Sequence, residues 1–188
     1  MNKHIFKLFV LIVGALMFVQ CGDGGKFSID KGKVGKLTTK TKMLELDKIF
    51  KNDSIVKNLS EGSIGDDYFQ DDDEYLIFEK GGNHLLTIIP KEQLDSSSTI
   101  KSVQIFDNRY TTKTGLSLAS TFEEINLNNS ISKVETSLSS ATLFIDALNV
   151  TISLDKEELG LRDFTIQKVN LEQIPGLAKV KSFIVWFN

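Results

Sequence analysis

The sequence predicts an α+β fold, namely one domain of mostly antiparallel sheet with two short helices. Apolar runs of strand length recur along the chain and are separated by turn-forming residues. Only two segments have the i, i+3, i+4 spacing of an amphipathic helix. The pattern of Ile100–Asn108 recurs at the end of the chain, in Val180–Asn188. This match raises the hypothesis of a tandem αβββ repeat over residues 34–110 and 111–188.

Residues 1–20 have the organisation of a bacterial export signal. Two lysines precede an uninterrupted apolar run, Leu8–Val19. A helix of this length spans about 18 Å, whereas the hydrocarbon core of a bilayer is about 30 Å thick. A cleaved signal therefore fits better than a transmembrane anchor. The run ends just before Cys21, at the position where a lipobox places the cysteine that is acylated.

Cys21 is the only cysteine in the chain, so no internal disulfide can form. Acylation of its thiol with two or more fatty chains would give stable membrane attachment. Residues 21–33 are rich in Gly, Lys and Asp and lack periodicity, which predicts a lipidated flexible tether before a single domain at 34–188. Aspartate stands at the second position after the cysteine rather than the first. The expected location is therefore the cell envelope, lipid-anchored at the outer membrane.

The first half of the domain begins with a predicted helix over Lys42–Phe50, capped by Thr41. Its apolar stripe consists of Leu46, Ile49 and Phe50. The glycine pair of Gly81-Gly82-Asn83 predicts a tight hairpin turn. The predicted strands are Ser54–Asn58, Glu74–Lys80, Leu85–Pro90 and Ile100–Asp107.

The second half begins with a capping box, Ser120 with Glu123, which predicts a helix containing Phe122 and Ile125. Strict alternation in Val150–Leu154 predicts a sheet with one solvated face. The last predicted strand is apolar on both sides, which indicates a central position in the sheet. The predicted strands are Ile131–Thr136, Thr142–Asp146, Val150–Leu154, Phe164–Val169 and Val180–Phe187.

The charge of the chain argues against nucleic acid as a partner. After removal of residues 1–20, 20 basic and 25 acidic residues remain. The only arginines are Arg109 and Arg162, so bidentate phosphate recognition is poorly supplied. Counterion release from nucleic acid requires clustered cations. We find no phosphate loop, no metal-ligand spacing and no nucleophile motif, and we expect no cofactor and no catalytic residue.

An acidic run before one strand is the weak candidate for a metal site. Asp71, Asp72 and Asp73 supply the hard oxygen ligands that Ca²⁺ prefers. The run lacks the alternating ligand order and the glycine of a calcium loop, so solvated loop carboxylates are the commoner explanation. His84 is the only histidine after the signal and is expected to be exposed beside the glycine turn.

Two further features leave alternatives open. The chain contains enough carboxylates for an acid–base pair that cleaves glycans, although no spacing singles out a pair. Aromatic residues beside the acidic run could face a ligand or a partner protein, and a core position is expected for Phe78. These residues are Tyr68, Phe69, Tyr75 and Phe78.

The layout resembles a family of uncharacterised bacterial envelope lipoproteins whose expression follows the envelope-stress sigma factor. The segments that carry the resemblance are Val34–Thr38, Ile100–Asp107, Thr114-Gly115 with Phe122, Ile174-Pro175, and Val180–Trp186. The resemblance implies an α+β envelope domain and carries over no catalytic residue. The helix-plus-sheet layout is also similar to small outer-membrane assembly lipoproteins and to the secreted inhibitor protein of β-lactamase, which are binding modules.

These observations favour a non-enzymatic binding or assembly module, attached to the bilayer through acylated Cys21 and facing an envelope protein partner. One alternative is a carboxylate-based hydrolase acting on envelope glycans. Another is a calcium-dependent surface protein that uses the acidic run.

Overall fold

The computed structural model describes residues 25–60, 72–137, 139–155, 157–159 and 169–188. Two sheets and two short helices make up nearly half of these residues, which confirms the α+β class. The helices are Leu46–Ile49 and Phe122–Asn128, and single 3₁₀ turns occur at Met43–Glu45 and Leu171–Gln173. Among the described residues, no helix has the length and apolarity needed to cross a bilayer.

The described residues contain twelve strands, which form a small sheet and a large one. The strands are β1 (Ser28–Asp30), β2 (Lys33–Val34), β3 (Leu37–Thr38), β4 (Ser54–Asn58), β5 (Glu74–Phe78), β6 (His84–Pro90), β7 (Ile100–Ile105), β8 (Thr111–Thr112), β9 (Lys133–Thr136), β10 (Ser140–Ile145), β11 (Val150–Asp155) and β12 (Val180–Trp186). The small sheet has the order β3-β2-β1-β8. The large sheet is antiparallel throughout, with the order β4-β5-β6-β7-β12-β11-β10-β9.

The order of the large sheet follows the two halves of the chain. β4 to β7 form one meander, β9 to β12 form a second, and β7 pairs with β12 where the two meet. β12 is therefore a central strand, as its apolar character predicts. Each half contributes four strands to this sheet, so the three-strand unit of the sequence hypothesis is one strand short. The predicted strand Phe164–Val169 lies almost entirely outside the described residues.

One face of the large sheet forms the core. Along β11 the side chains alternate between buried and half-exposed, as strict apolar–polar alternation requires. The buried set from the central strands includes Val103, Phe183 and Ile152, all 0% exposed. They belong to one hydrophobic cluster that also contains residues of the small sheet and of both helices, such as Ile29 and Ile125. The small sheet and the helices thus cover this inner face.

Both helix starts differ slightly from the predictions. The second helix is capped by Thr121, whose Oγ1 accepts from the Glu124 amide while the Glu124 carboxylate accepts from the Thr121 amide. The capping box is therefore one residue later than predicted, and Ser120 instead accepts a hydrogen bond from the Ser117 amide. At the first helix, the Glu45 carboxylate accepts from the Lys42 amide, whereas the Thr41 hydroxyl is bonded to Thr38.

The structured part of the chain begins earlier than the predicted tether suggested. β1 lies inside the range 21–33, and Ile29 within it is 2% exposed. Gly35 has a φ of +56°, and a Cβ there would lie 2.5 Å from the Lys26 carbonyl oxygen. Only glycine permits this approach, which closes the turn after β2 against the start of the described chain. The missing hydrophobic periodicity at 21–33 reflects strands that are too short to show it.

Candidate functional site

The outer face of the large sheet, opposite the core, is its more open surface. Cross-strand partners on this face include Gln104 opposite Ile184 and Ser102 opposite Trp186. Apolar and polar side chains are mixed across it, and most are half-exposed. Its apolar members include Leu76, Ile89, Phe106, Phe144, Ile184 and Trp186.

Trp186 is held in a fixed orientation on the outer face. Its indole Nε1 donates to Thr151 Oγ1 on the neighbouring strand at 3.1 Å. Its backbone carbonyl accepts from the Asn149 side-chain amide at 3.0 Å. A half-exposed aromatic ring with a satisfied polar end loses little conformational entropy when a partner covers it, which is the property of an interface anchor.

His84 lies on the same side, in a stack of three rings. Its imidazole is 4.7 Å from the Phe78 ring and 3.9 Å from the Phe106 ring, measured between centroids. Its Nε2 is 3.1 Å from both the Leu86 carbonyl oxygen and Thr87 Oγ1. Burial lowers the pKa of His84 below its ordinary value. The sequence predicted an exposed polar side chain here, whereas the structure packs the ring as part of a half-buried aromatic cluster.

The acidic run has two described members of the proposed calcium set. Asp73 is 1% exposed, and its carboxylate accepts from the amide and hydroxyl of Ser60 and from the Leu94 amide, at 2.9, 3.0 and 2.6 Å. Asp72 forms an ion pair with Lys101 at 3.4 Å. Asp71 lies outside the described residues, as do Tyr68, Phe69 and Cys21. Within the described ranges, no three potential metal ligands come together.

A groove beside the edge strand β9 contains two carboxylates. Glu135 and Glu172 both line this groove, whose volume is about 840 Å³. Glu135 forms an ion pair with Lys133 on the same strand. This groove is therefore the one that best suits the glycan hydrolase alternative, since three other clefts of the described chain contain a single acidic residue each.

A basic cleft lies between the first helix and the small sheet. We define it by its floor, Val34, Leu86 and Tyr110, and by the lysines at its edge, Lys26, Lys33, Lys36 and Lys51. The three floor residues are almost fully buried, and burial raises the pKa of Tyr110, which keeps its hydroxyl neutral. The cleft has a volume of about 750 Å³. Most of these lysines belong to the range predicted as a tether or directly follow it, so the sequence pattern did not mark them as a site.

Arg109 fastens the start of the described chain to the large sheet. Its guanidinium donates to both carboxylate oxygens of Glu79, at 3.1 and 2.8 Å, and to Asp107 at 2.9 and 2.7 Å. It also lies 4.3 Å from the centroid of the Phe27 ring. Hydrogen bonds from Arg109 hold the pKa values of Glu79 and Asp107 below their ordinary range.

We expect Arg109→Lys to loosen the segment around Phe27 while leaving the large sheet intact. A lysine keeps the charge but cannot bond two carboxylates in a planar fork or stack on the ring. Amide hydrogen exchange at residues 27–29 should accelerate about tenfold, because the loss of one charge-assisted hydrogen bond makes local opening of this segment more frequent by about that factor. Exchange in β12 should not change. Equal acceleration in both regions would show that Arg109 supports the whole fold instead.

Comparisons with known proteins find one solved structure with a similar fold. No family model matches the sequence, and no curated protein matches it. The fold is similar to the crystal structure of the uncharacterized protein yfeY from Escherichia coli, with a TM-score of 0.51 and 14% sequence identity. The match covers 86% of this chain and 99% of that chain. At this identity the likeness shows a shared fold alone.

Proposed function

We propose that this protein is a lipid-anchored envelope lipoprotein without catalytic activity, and that it binds a partner protein through the outer face of its large sheet. The observation that carries the binding proposal is the mixed, half-exposed surface around Trp186 and Ile184. Protein interfaces combine aromatic anchors with hydrogen-bonding groups in this way.

The dimensions of the outer face support a protein as its partner. Eight strands at a spacing of about 4.8 Å give a width of about 34 Å, and six residues give a length of about 20 Å. The resulting area of about 700 Å² is close to the roughly 800 Å² that each partner buries in a typical stable complex. Polar residues such as Thr151 and Gln104 between the apolar ones suit a protein surface better than the interior of a bilayer.

The tandem repeat belongs to the same proposal. From one edge of the large sheet to its centre, the strands are β4, β5, β6 and β7 in chain order. From the other edge to the centre they are β9, β10, β11 and β12, again in chain order. β7 and β12 are the strands whose sequence patterns match, and a short helix precedes each set. A duplication would explain both facts, and it would create the wide outer face by joining two four-stranded sheets.

Site-specific crosslinking in intact cells tests the binding proposal. A photoreactive residue at position 184 should give one discrete adduct with a protein, and Trp186→Ala should weaken that adduct. The control position is Leu177, which is 77% exposed and lies in the loop before β12. If position 184 gives no protein adduct, or only the same products as position 177, the outer face is not a protein-binding surface.

The anchor has a separate test. We expect the intact mass of the protein purified from membranes to correspond to a chain that begins at Cys21 and carries fatty acyl groups. The variant Cys21→Ser should remain unacylated and uncleaved, because the thiol is the acceptor of the first lipid group. An unmodified chain that begins at Met1 would overturn the lipoprotein assignment while leaving the crosslinking result unaffected.

A further inference from the structure

The start of the structured domain carries a charge opposite to that of the rest of the chain. Residues 25–53 contain eight lysines and four carboxylates, a net charge of +4. Residues 54–188 contain 12 basic and 20 acidic residues, a net charge of −8. A segregation of this kind indicates that the basic part meets an anionic surface.

Three lysines of the basic cleft form no ion pair with any carboxylate that the structure describes. These exposed lysines are Lys33, Lys36 and Lys51. Two carboxylates lie nearby: Asp30 is opposite Lys33, which helps to lower its pKa, and Asp53 lines the cleft itself. Two other cations nearby do form ion pairs: Lys26 pairs with Glu79, and Lys113 pairs with Asp30. The three ammonium groups surround an apolar floor. This arrangement suits a ligand with an anionic group on an apolar body.

The position of the cleft in the chain identifies the anionic surface. Gly25 lines the cleft, and it stands only four positions after Cys21. Four residues span at most about 14 Å even when fully extended. Arg109 and Phe27 hold the chain immediately after Gly25 against the domain. With Cys21 acylated, the cleft is therefore kept within reach of the lipid headgroups.

We propose that the basic cleft binds the headgroups of anionic phospholipids in the membrane that holds the anchor. This inference rests on the acylation of Cys21 proposed above. Lys33, Lys36 and Lys51 supply the charges, and the apolar floor accommodates the glycerol and the first methylenes of the lipid. Contact at this site orients the domain, so that the basic end faces the bilayer and the acidic remainder points away from it.

Lysine labelling of the acylated full chain in vesicles tests this proposal. The protein is reconstituted into vesicles of phosphatidylcholine alone, or of phosphatidylcholine and phosphatidylglycerol in a two-to-one ratio, and is treated with a water-soluble amine reagent. We expect Lys33, Lys36 and Lys51 to react about fivefold more slowly in the vesicles that contain phosphatidylglycerol. The attraction between an anionic membrane and each nearby lysine favours the membrane-bound position of that lysine by about this factor. Salt at about 0.5 M should remove the difference by screening. Lys91, at the opposite end of β6 from Leu86, serves as the control and should react equally in both vesicle types.

A charge variant provides the second arm. In Lys33→Gln/Lys36→Gln/Lys51→Gln, the neighbouring Lys31 should label at the same rate in both vesicle types, whereas in the unmodified chain it should be slower with phosphatidylglycerol. All three substitutions are at exposed positions, so the fold should be retained. Persistent protection of Lys31 in this variant would overturn the assignment to these three lysines.

Other results of these experiments distinguish headgroup binding from the acylation of Cys21. Equal labelling of the cleft lysines in both vesicle types, in a chain whose intact mass shows acylation, overturns headgroup binding and leaves the anchor in place. Protection by millimolar glycerol phosphate without vesicles would show a site for soluble anions and would overturn the membrane assignment. A chain without fatty acyl groups overturns the anchor first.

Discussion

The variant Phe183→Ala should lower the free energy of unfolding by about 4 kcal/mol, in the range measured for large cavities in well-packed cores. Phe183 lies at the centre of β12, opposite Ile105 on one side and Ile152 on the other, and is 0% exposed. Its removal leaves a void between strands from both halves of the chain. The neighbouring elements are paired through their backbones and cannot collapse into that space.

The matched control is Ile184→Ala, one residue further along the same strand. Ile184 is on the outer face and half-exposed, so we expect a loss of only about 1 kcal/mol. Urea unfolding of the three proteins measures the difference. Similar losses for both variants would mean that the outer face is covered, and the binding proposal would then lose its surface.

The variant Asp73→Ala should lower the free energy of unfolding by about 3 kcal/mol, because it removes a buried carboxylate that accepts three hydrogen bonds. The Asp73 carboxylate joins the end of the segment after β4, at Ser60, to the loop that contains Leu94. Leu94 has a φ of +55°, a conformation that is unfavourable for a branched side chain. The hydrogen bond from its amide to Asp73 helps to hold this conformation.

Asp72→Ala is the control for the acidic run, since Asp72 is half-exposed and forms an ion pair with Lys101 at the surface. We expect its effect to lie within about 0.5 kcal/mol. If Asp72→Ala and Asp73→Ala are equally mild in urea unfolding, the carboxylate of Asp73 is solvated and does not support the two loops.

The contribution of Asp73 should depend on pH in a defined direction. Burial raises the pKa of its carboxyl group, but the hydrogen bonds from Leu94 and Ser60 outweigh burial and hold the pKa below its ordinary value of 3.8. The ionised form is therefore favoured in the folded protein. The stabilisation is present above about pH 4 and is lost as the pH falls through the folded pKa. The difference in the free energy of unfolding between the unmodified protein and Asp73→Ala should therefore become smaller over the same pH range.

The sequence predicted the large sheet well because its strands are long enough to show a pattern. Val150–Leu154 alternates strictly between apolar and polar residues, which predicts a strand with one solvated face. The last strand is apolar on both sides, which predicts a central position in the sheet. The glycine pair at 81–82 has φ values of +110° and +90°, which confirms the predicted turn. Such signals are local and need no knowledge of the rest of the fold.

The small sheet and the basic cleft could not be predicted in the same way. β2 and β3 have two residues each, and no periodicity can be detected over so short a strand. The cleft joins Lys33 and Lys51 to Leu86 and Tyr110, which are distant in sequence and come together only through the packing of the small sheet. Asp73 was missed for the opposite reason, since its neighbours in the acidic run made it look like one more solvated carboxylate.

The two edges of the large sheet affect whether neighbouring copies of the protein can associate by strand addition. β4 and β9 each have one side without a strand partner in the described structure. Each of these strands carries an exposed lysine, Lys57 and Lys133, and an edge with charged side chains resists extension by a second copy through strand addition. The acylation proposed at Cys21 would confine the protein to a membrane surface and so raise the local concentration of neighbouring copies. We expect Lys57 and Lys133 to protect the protein against fibrous aggregation under that condition.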